Sequence, residues 1–211
     1  MVNGLYLKAY NIKKVFNRRL IFQNLNFEIV NGQSLIITGK NGSGKSTLIK
    51  IIANVLTPTS GLIEIKIDGK KIDNEKVYKY IGLVSPYLVL YDEFSAFENL
   101  LIFSKIRSLE ISTDEIENLL SLVGLLDRKD DLLRTYSSGM KQRMKFASAI
   151  LHNPPILLLD EPTSNLDEEG KNFVANLVEN YRKDKIIIIA TNDKEDFRFG
   201  DVILNLEEFK D

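Results

Sequence analysis

Apolar positions along this chain change their spacing from segment to segment, and each change marks a predicted element. Leu5 to Tyr10 and Leu20 to Val30 read as half-buried strands, the second through Phe22, Leu25, Phe27 and Ile29. Between them lies Lys14-Val15-Phe16-Asn17-Arg18-Arg19, an aromatic among basic residues and turn formers. Asn31-Gly32 signals a turn. Leu35-Ile36-Ile37-Thr38 follows as a buried strand, and Leu48 to Val55 has helical spacing. Leu62 to Ile67 alternates as a strand up to the Asp68-Gly69 turn, and Ile81 to Val84 is a short buried strand. From Ser85 to His152 the spacing is helical. Ser95-Ala96-Phe97-Glu98 and Ser112-Thr113-Asp114-Glu115 fit the capping box, and Gly124 suits a helix end. Strands resume at Ile156–Leu159, Lys185–Ala190 and Val202–Leu204, with Phe173, Leu177 and Tyr181 marking a helix. Continuous apolar strands alternating with helices predict an α/β fold whose parallel sheet is covered on both faces. One domain spans 1–211: 1–85 and 153–211 form a core with an N-terminal antiparallel β-subdomain, and 86–152 a helical insert. No repeat or low-complexity segment interrupts it.

Composition narrows the function classes. The 211 residues are 44% hydrophobic and 27% charged, ordinary for a globular protein. With 28 basic and 29 acidic side chains the net charge is −1, so no global field favours nucleic acid or anionic lipid. The absence of cysteine excludes disulfides, cysteine-ligated metal and a thiol nucleophile. Met1 to Lys8 lacks the basic-then-apolar order of a cleavable signal. No apolar run approaches the ~18 residues of a membrane span, so an intracellular setting with only peripheral membrane contact is expected.

The stretch Gly39-Lys40-Asn41-Gly42-Ser43-Gly44-Lys45-Ser46-Thr47 has the form G-x-x-x-x-G-K-S, between a predicted strand and a predicted helix. Gly39, Gly42 and Gly44 open backbone conformations in which successive N–H groups converge on an anion. The helix adds its positive end. Lys45 supplies charge for the outer phosphates of a nucleotide, Ser46 is placed to ligate Mg²⁺, and Asn41, Ser43 and Thr47 complete the loop. A glycine-rich loop alone is also compatible with a plain turn. The second motif, Leu157-Leu158-Leu159-Asp160-Glu161-Pro162-Thr163, ends a strand, where ligands bind in open α/β sheets. Asp160 would hold the metal, and Glu161 would accept a proton from, or orient, an attacking water. An acidic pair at a helix N-terminus is the plain alternative.

Tyr136-Ser137-Ser138-Gly139-Met140-Lys141-Gln142-Arg143 is, by its chemistry, a turn capping a helix with Met140, Met144, Ala147 and Leu151 on its apolar face. Such a terminus suits a phosphate or simply a cap. Beside the other two motifs it resembles the signature sequence of ABC-type ATPases, usually Leu-Ser-Gly-Gly-Gln. Tyr first and Met last resemble the ATPase subunits of exporters, including the haem exporter of cytochrome c maturation. The resemblance covers nearly the whole chain. Phe16 matches the adenine-stacking aromatic, Gly39 to Thr47 the Walker A loop, Asp160 and Glu161 the end of Walker B, and Ser164-Asn165-Leu166-Asp167 the D-loop.

The resemblance implies a P-loop NTPase with a RecA-like core, binding ATP and Mg²⁺ in a head-to-tail homodimer or a heterodimer with a related ATPase. Ser137, Ser138 and Gly139 of one subunit would meet the γ-phosphate held by Lys45 of the other. The partner implied is a transmembrane permease, with the chain peripheral on the cytoplasmic face of the membrane, and no nucleic acid. Two positions depart from the pattern: Pro86 stands where similar proteins have a glutamine, and Asn192 where they have a histidine that touches the γ-phosphate. Asn192 keeps a hydrogen-bond donor but carries no proton or charge. The lone histidine, His152, reads as a surface or helix-end residue. The expectation is therefore an ATPase with Glu161, Lys45 and Asn192 in catalysis, powering a transporter of the exporter kind. The alternative is an ATP-gated module that scarcely hydrolyses. Tyr87 to Tyr91, with Phe94 and Phe97, is expected to contribute in part to a groove for a permease helix.

Overall fold

The computed structural model describes residues 4–164 and 166–210. The first three residues of the Met1–Lys8 segment, and Asn165 in the D-loop match, lie outside them.

β1 (Tyr6–Phe16) and β2 (Arg19–Val30) form a long antiparallel hairpin. Asn17 and Arg18 close it with φ of 44° and 70°, the left-handed pair of a tight turn whose twist matches its strands. The first strand thus runs through Phe16, well past Tyr10, where the sequence pattern ended it. Register shifts between Ala9 and Val15 absorb the broken alternation as bulges. β4 (Ser60–Ile67) pairs with the free edge of β1, and β5 (Lys70–Lys71) completes the order β2-β1-β4-β5.

The second sheet contains β3 (Ser34–Thr38), β6 (Ile81–Val84), β7 (Ile156–Asp160), β8 (Ile186–Ala190) and β9 (Val202–Asn205), in the order β6-β7-β8-β3-β9. Every neighbouring pair is parallel. The inner strands β7 and β8 are buried at every position, which is why they are continuously apolar, whereas Ile203 on the edge strand β9 is exposed. Ile156 and Leu158 pack with Leu48 and Ile49 of α1 (Lys45–Ile52) and Phe22 of the hairpin. Leu157 and Leu159 face the other way, onto Phe146, Val174 and Val178, which belong to α4 (Ser138–Ile150) and α5 (Glu168–Tyr181).

Between β6 and β7 lie α2 (Ala96–Ile106), α3 (Thr113–Leu122) and α4, around a separate core that includes Leu100, Ile116, Leu120 and Met144. Both capping boxes form: Ser95 with Glu98, and Ser112 with Glu115. Gly124, at φ 69°, ends α3 in the left-handed conformation. α4 belongs to two cores at once, with Phe146 in the sheet's and Met144 in the insert's. One face of the helix, through Met140, Met144 and Ala147, thus packs in the insert, and another, through Phe146, Ala149 and Ile150, on the sheet. Among the described residues, no helix is long and apolar enough to cross a membrane.

Candidate functional site

The parallel order brings the carboxyl ends of β3, β7 and β8 to one edge, with β8 between the other two. The loop after β3 turns into α1 there. Gly44, the N-cap of α1, has φ 108°, and a Cβ at this position would lie 2.4 Å from Ile21 Cγ2 on β2. The hairpin therefore presses on the loop, and only glycine accommodates both the backbone angle and the approach.

Lys45 is only 6% exposed, and its side chain is held under the loop. Its ammonium donates to Gly39 O at 3.1 Å and Asn192 Oδ1 at 2.9 Å, and stands 3.6 Å from Glu161 Oε1. Asn192 Nδ2 in turn donates to Asn41 Oδ1. Glu161, Lys45, Asn192 and Asn41 thus form one chain of contacts across three strand ends. Ser46 Oγ donates to Asp160 Oδ1 at 2.9 Å. Asp160 is 1% exposed, and its Oδ2 has no partner; Ser43 Oγ is likewise buried and unpartnered. Buried polar atoms left unpaired are rare and costly. The donors fit the groups the loop implies: Ser46 and Asp160 offer the oxygen ligands that Mg²⁺ prefers, and Ser43 and Lys45 offer partners to a phosphate.

Burial raises the Asp160 carboxyl above the usual range, against the Ser46 hydrogen bond and the Lys50 and Lys45 charges. Glu161 is raised for the same reason, with Lys45 the main opposing influence. Glu161 also adopts φ 50°, with its N–H held by Ala190 O at 2.8 Å. A non-glycine residue in this region is strained by about 1–3 kcal/mol, a cost that concentrates at functional sites.

Some of the supporting residues carried no signal in the sequence. Asp196, 2% exposed, accepts from Thr191 at 2.7 Å and from Thr163 at 2.9 Å. It ties the loop beyond Glu161 to the one bearing Asn192. Lys145 donates to the carbonyls of Ser85 and Pro86, each at 3.2 Å, and its burial lowers its basicity. Pro86 offers no side-chain ligand, and the turn it occupies is held instead from α4. A basic residue on the signature helix was visible; its target was not.

The remaining candidates are dispersed. Phe16 stays 42% exposed at the hairpin end, with Lys14 Nζ 4.6 Å from its ring centroid. Ser137 caps α4, its Oγ accepting from Met140 N at 3.2 Å. Ser137 and Gly139 line a hollow of about 330 Å³ with Asp167 and Gly170. Ser138 borders a different groove, of about 430 Å³, with Glu161, Lys145, Pro86 and Leu88. Of the residues expected at the nucleotide, Asn41, Lys45, Ser46, Asp160, Glu161 and Asn192 are joined by direct contacts. Phe16 and the signature residues are not among those contacts.

The ABC transporter family model matches residues 22–164. The linearmycin resistance ATP-binding protein LnrL of Bacillus subtilis (strain 168) is 33% identical over 190 residues, covering 88% of this chain and 60% of that protein. The lantibiotic transport ATP-binding protein SrtF of Streptococcus pyogenes is 32% identical over 186 residues, covering 88% of this chain and 79% of that protein. The chain therefore spans less than two thirds of LnrL. A dimeric ATP-binding cassette solved in a post-hydrolysis state with ADP and Pi superposes with a TM-score of 0.82 at 28% identity, over 94% of this chain and 93% of that one. With the family model across most of its length and the cassette fold throughout, this chain belongs to the ABC transporter family, as an ATP-binding cassette.

Proposed function

We propose that the chain hydrolyses ATP in a dimer and powers a membrane transporter of the exporter kind. The observation that carries this reading is the edge where Lys45 contacts Asn192 and Glu161 while Ser46 contacts Asp160, with Asp160 Oδ2 left unpartnered beside them. Lys45 binds the outer phosphates together with the loop N–H groups, and Ser46 and Asp160 hold Mg²⁺. When bound, that ion supplies Lewis-acid neutralisation of phosphate charge. Glu161 takes the proton of the attacking water, and burial raises its carboxyl, the direction that makes it a stronger base. Asn192 donates to a phosphate oxygen once its Nδ2 lets go of Asn41. Ser137, Ser138 and Gly139 close the site of a second subunit, and Phe16 stacks on the base. The relatives named for linearmycin resistance and lantibiotic transport support the exporter reading, and with it a permease partner and a cytoplasmic position on the membrane. Residues 1–211 act as one cassette with 86–152 as its helical insert.

Steady-state phosphate release with MgATP tests the reading directly. We expect slow turnover, raised by Asn192→His, because a charged donor at a phosphate oxygen outperforms a neutral one. Losing such a contact altogether costs about 10²–10³ in rate, so the gain should be below that. No change in rate on Asn192→His would remove Asn192 from the site. An ATP-gated module with little hydrolysis is the second reading. It is favoured by Pro86, which offers no ligand, and by Lys45 being engaged by Asn192 Oδ1. Phosphate release indistinguishable from buffer would select it.

The groove bordered by Pro86, Leu88 and Val89 is the proposed permease contact. Tyr87 is 69% exposed and Val89 77%, whereas Leu90 is buried and Phe97 packs into the insert's core. Exposed apolar side chains clustered at a groove mark an interaction site. Tyr87→Glu with Val89→Glu is expected to abolish co-purification with the permease and leave the melting temperature unchanged. Undiminished co-purification would exclude this face.

A further inference from the structure

Thr163 stands two residues beyond Glu161, and Thr191 immediately before Asn192. Both hydroxyls end on one atom, Asp196 Oδ2, at 2.9 and 2.7 Å. The Thr191 hydroxyl also accepts from Asp193 N at 3.0 Å, and the Thr191 N–H donates to Ile37 O at 3.0 Å. Asn192 is thus bracketed by two residues joined through a single hydroxyl. Glu161 is bracketed as well. Its N–H is held by Ala190 O, and its carbonyl accepts from Ser164 N at 3.3 Å, closing the turn from which Thr163 reaches Asp196. A left-handed φ at a residue with a side chain persists only where its surroundings over-determine it. For Glu161, the Ala190 contact ties one side of the strained turn and the Thr163 contact to Asp196 ties the other.

Asp196 is itself anchored. It lies in the 3₁₀ segment Lys194–Phe199, whose Phe199 is buried in the sheet's core with Phe197 packed against that core, and its N–H donates to Asp193 O at 3.2 Å. Asp196, Thr163 and Thr191 are all buried. Lys171, the cation that acts on Asp196, is paired with Asp193 and Glu195 instead. Asp196 has no ion pair among the described residues, and burial raises its carboxyl against the two hydroxyl contacts. An unpaired buried acid is a costly way to hold a fold, since a buried polar cluster replaced as a whole by apolar groups of the same shape loses little stability. Nor do its side-chain hydrogen bonds reach Lys45, Ser46 or Asp160, the groups read as holding phosphate and metal. What they do reach is the pair of turns that present Glu161 and Asn192.

We propose that Asp196 is a positioning residue of the hydrolytic site: by receiving Thr163 and Thr191 on one oxygen it locks the turn bearing Glu161 and the turn bearing Asn192 into a single arrangement, and so sets the rate of hydrolysis and not the affinity for nucleotide. This role rests on Glu161 and Asn192 acting on water and phosphate as proposed above. Misplacing a catalytic group by about 1 Å costs about 10²-fold in rate. Nucleotide binding depends on the phosphate loop and Lys45, to which the Asp196 carboxylate makes no hydrogen bond among the described residues.

Three measurements on the full chain test this. Phosphate release with MgATP gives kcat and KM, a fluorescent ATP analogue gives affinity, and amide hydrogen exchange reads how firmly each turn is held. In Asp196→Ala, kcat is expected to fall by about 10²-fold with affinity unchanged. The amides from Glu161 to Ser164 and from Thr191 to Asp193 should exchange faster, while those of Gly39 to Thr47 keep the wild-type rate. Asp196→Asn keeps the shape and an acceptor oxygen, so it should restore most of the turnover. Thr163→Val removes one hydroxyl at nearly constant volume and should show the same pattern at smaller size, which keeps the test intact if Asp196→Ala fails to fold. Added to Asp196→Ala it should cause no further loss, because both changes remove one contact. Full turnover in Asp196→Ala, unchanged exchange at both turns, or affinity lost as far as kcat would overturn the proposal. A wild-type chain that releases no phosphate would overturn the hydrolytic reading instead, and exchange at the two turns would still decide whether Asp196 holds them.

Discussion

Glu161→Gln is expected to stop ATP turnover and trap the chain as a dimer in MgATP. Glu161 is strained at φ 50°, tied through its N–H to Ala190, and 3.6 Å from the Lys45 ammonium. Glutamine preserves the shape and the polar contacts but cannot accept the proton, so ground-state phosphate contacts remain while the step that releases them is lost. General-base assistance is worth about 10²–10⁴ in rate, and the loss should fall in that range or beyond it. The pH profile separates a base from a structural role. Burial raises the Glu161 carboxyl, and the base acts only when ionised, so wild-type turnover should fall as pH drops through that raised value. The Gln variant should lack this limb. Sedimentation in MgATP should show the variant as a dimer, and Ser137→Arg added to it should return it to monomer by filling the phosphate position across the interface. Turnover within tenfold of wild type, or only monomer in MgATP, would remove Glu161 from this role.

Lys45→Met has the second largest expected effect, on nucleotide binding. The ammonium is almost fully buried among Gly39 O, Asn192 Oδ1 and Glu161. Methionine retains much of the hydrocarbon stem, so the melting temperature should change little. Truncating one partner of a buried charge contact costs about 2–5 kcal/mol, so ATP affinity should fall by about 30-fold or more. Because Lys45 is the main influence lowering the Glu161 carboxyl, any residual turnover should show its acid limb moved to higher pH. A fluorescent ATP analogue titrated against both proteins gives the affinity. Equal affinity would place the nucleotide elsewhere.

Much of the site was legible in the sequence because its chemistry is local. The phosphate loop is contiguous, Gly39 to Thr47, and its function depends on backbone N–H groups and one lysine in that order. Asp160 and Glu161 close an apolar strand whose burial on both faces is written in its composition. The capping boxes at Ser95 and Ser112 are four-residue patterns and formed as read. The first strand was ended at Tyr10, short of Phe16, because bulges broke the alternation that would have extended it.

What only the tertiary structure decided are the contacts made across the sheet. Lys45 reaches Asn192 over a sequence separation of 147, and it does so because β8 lies between β3 and β7. Parallel strands are joined by long crossovers, so neither their order nor their register is carried by a turn that a short pattern could reveal. The same holds for Asp196 between Thr163 and Thr191, for Lys145 on the carbonyls of Ser85 and Pro86, and for His152 beside Arg107. By itself the sequence determined which groups are the candidates for phosphate and metal, since that depends on residue type and local backbone. The fold decided which distant side chains face them, because strand order and helix packing set those distances.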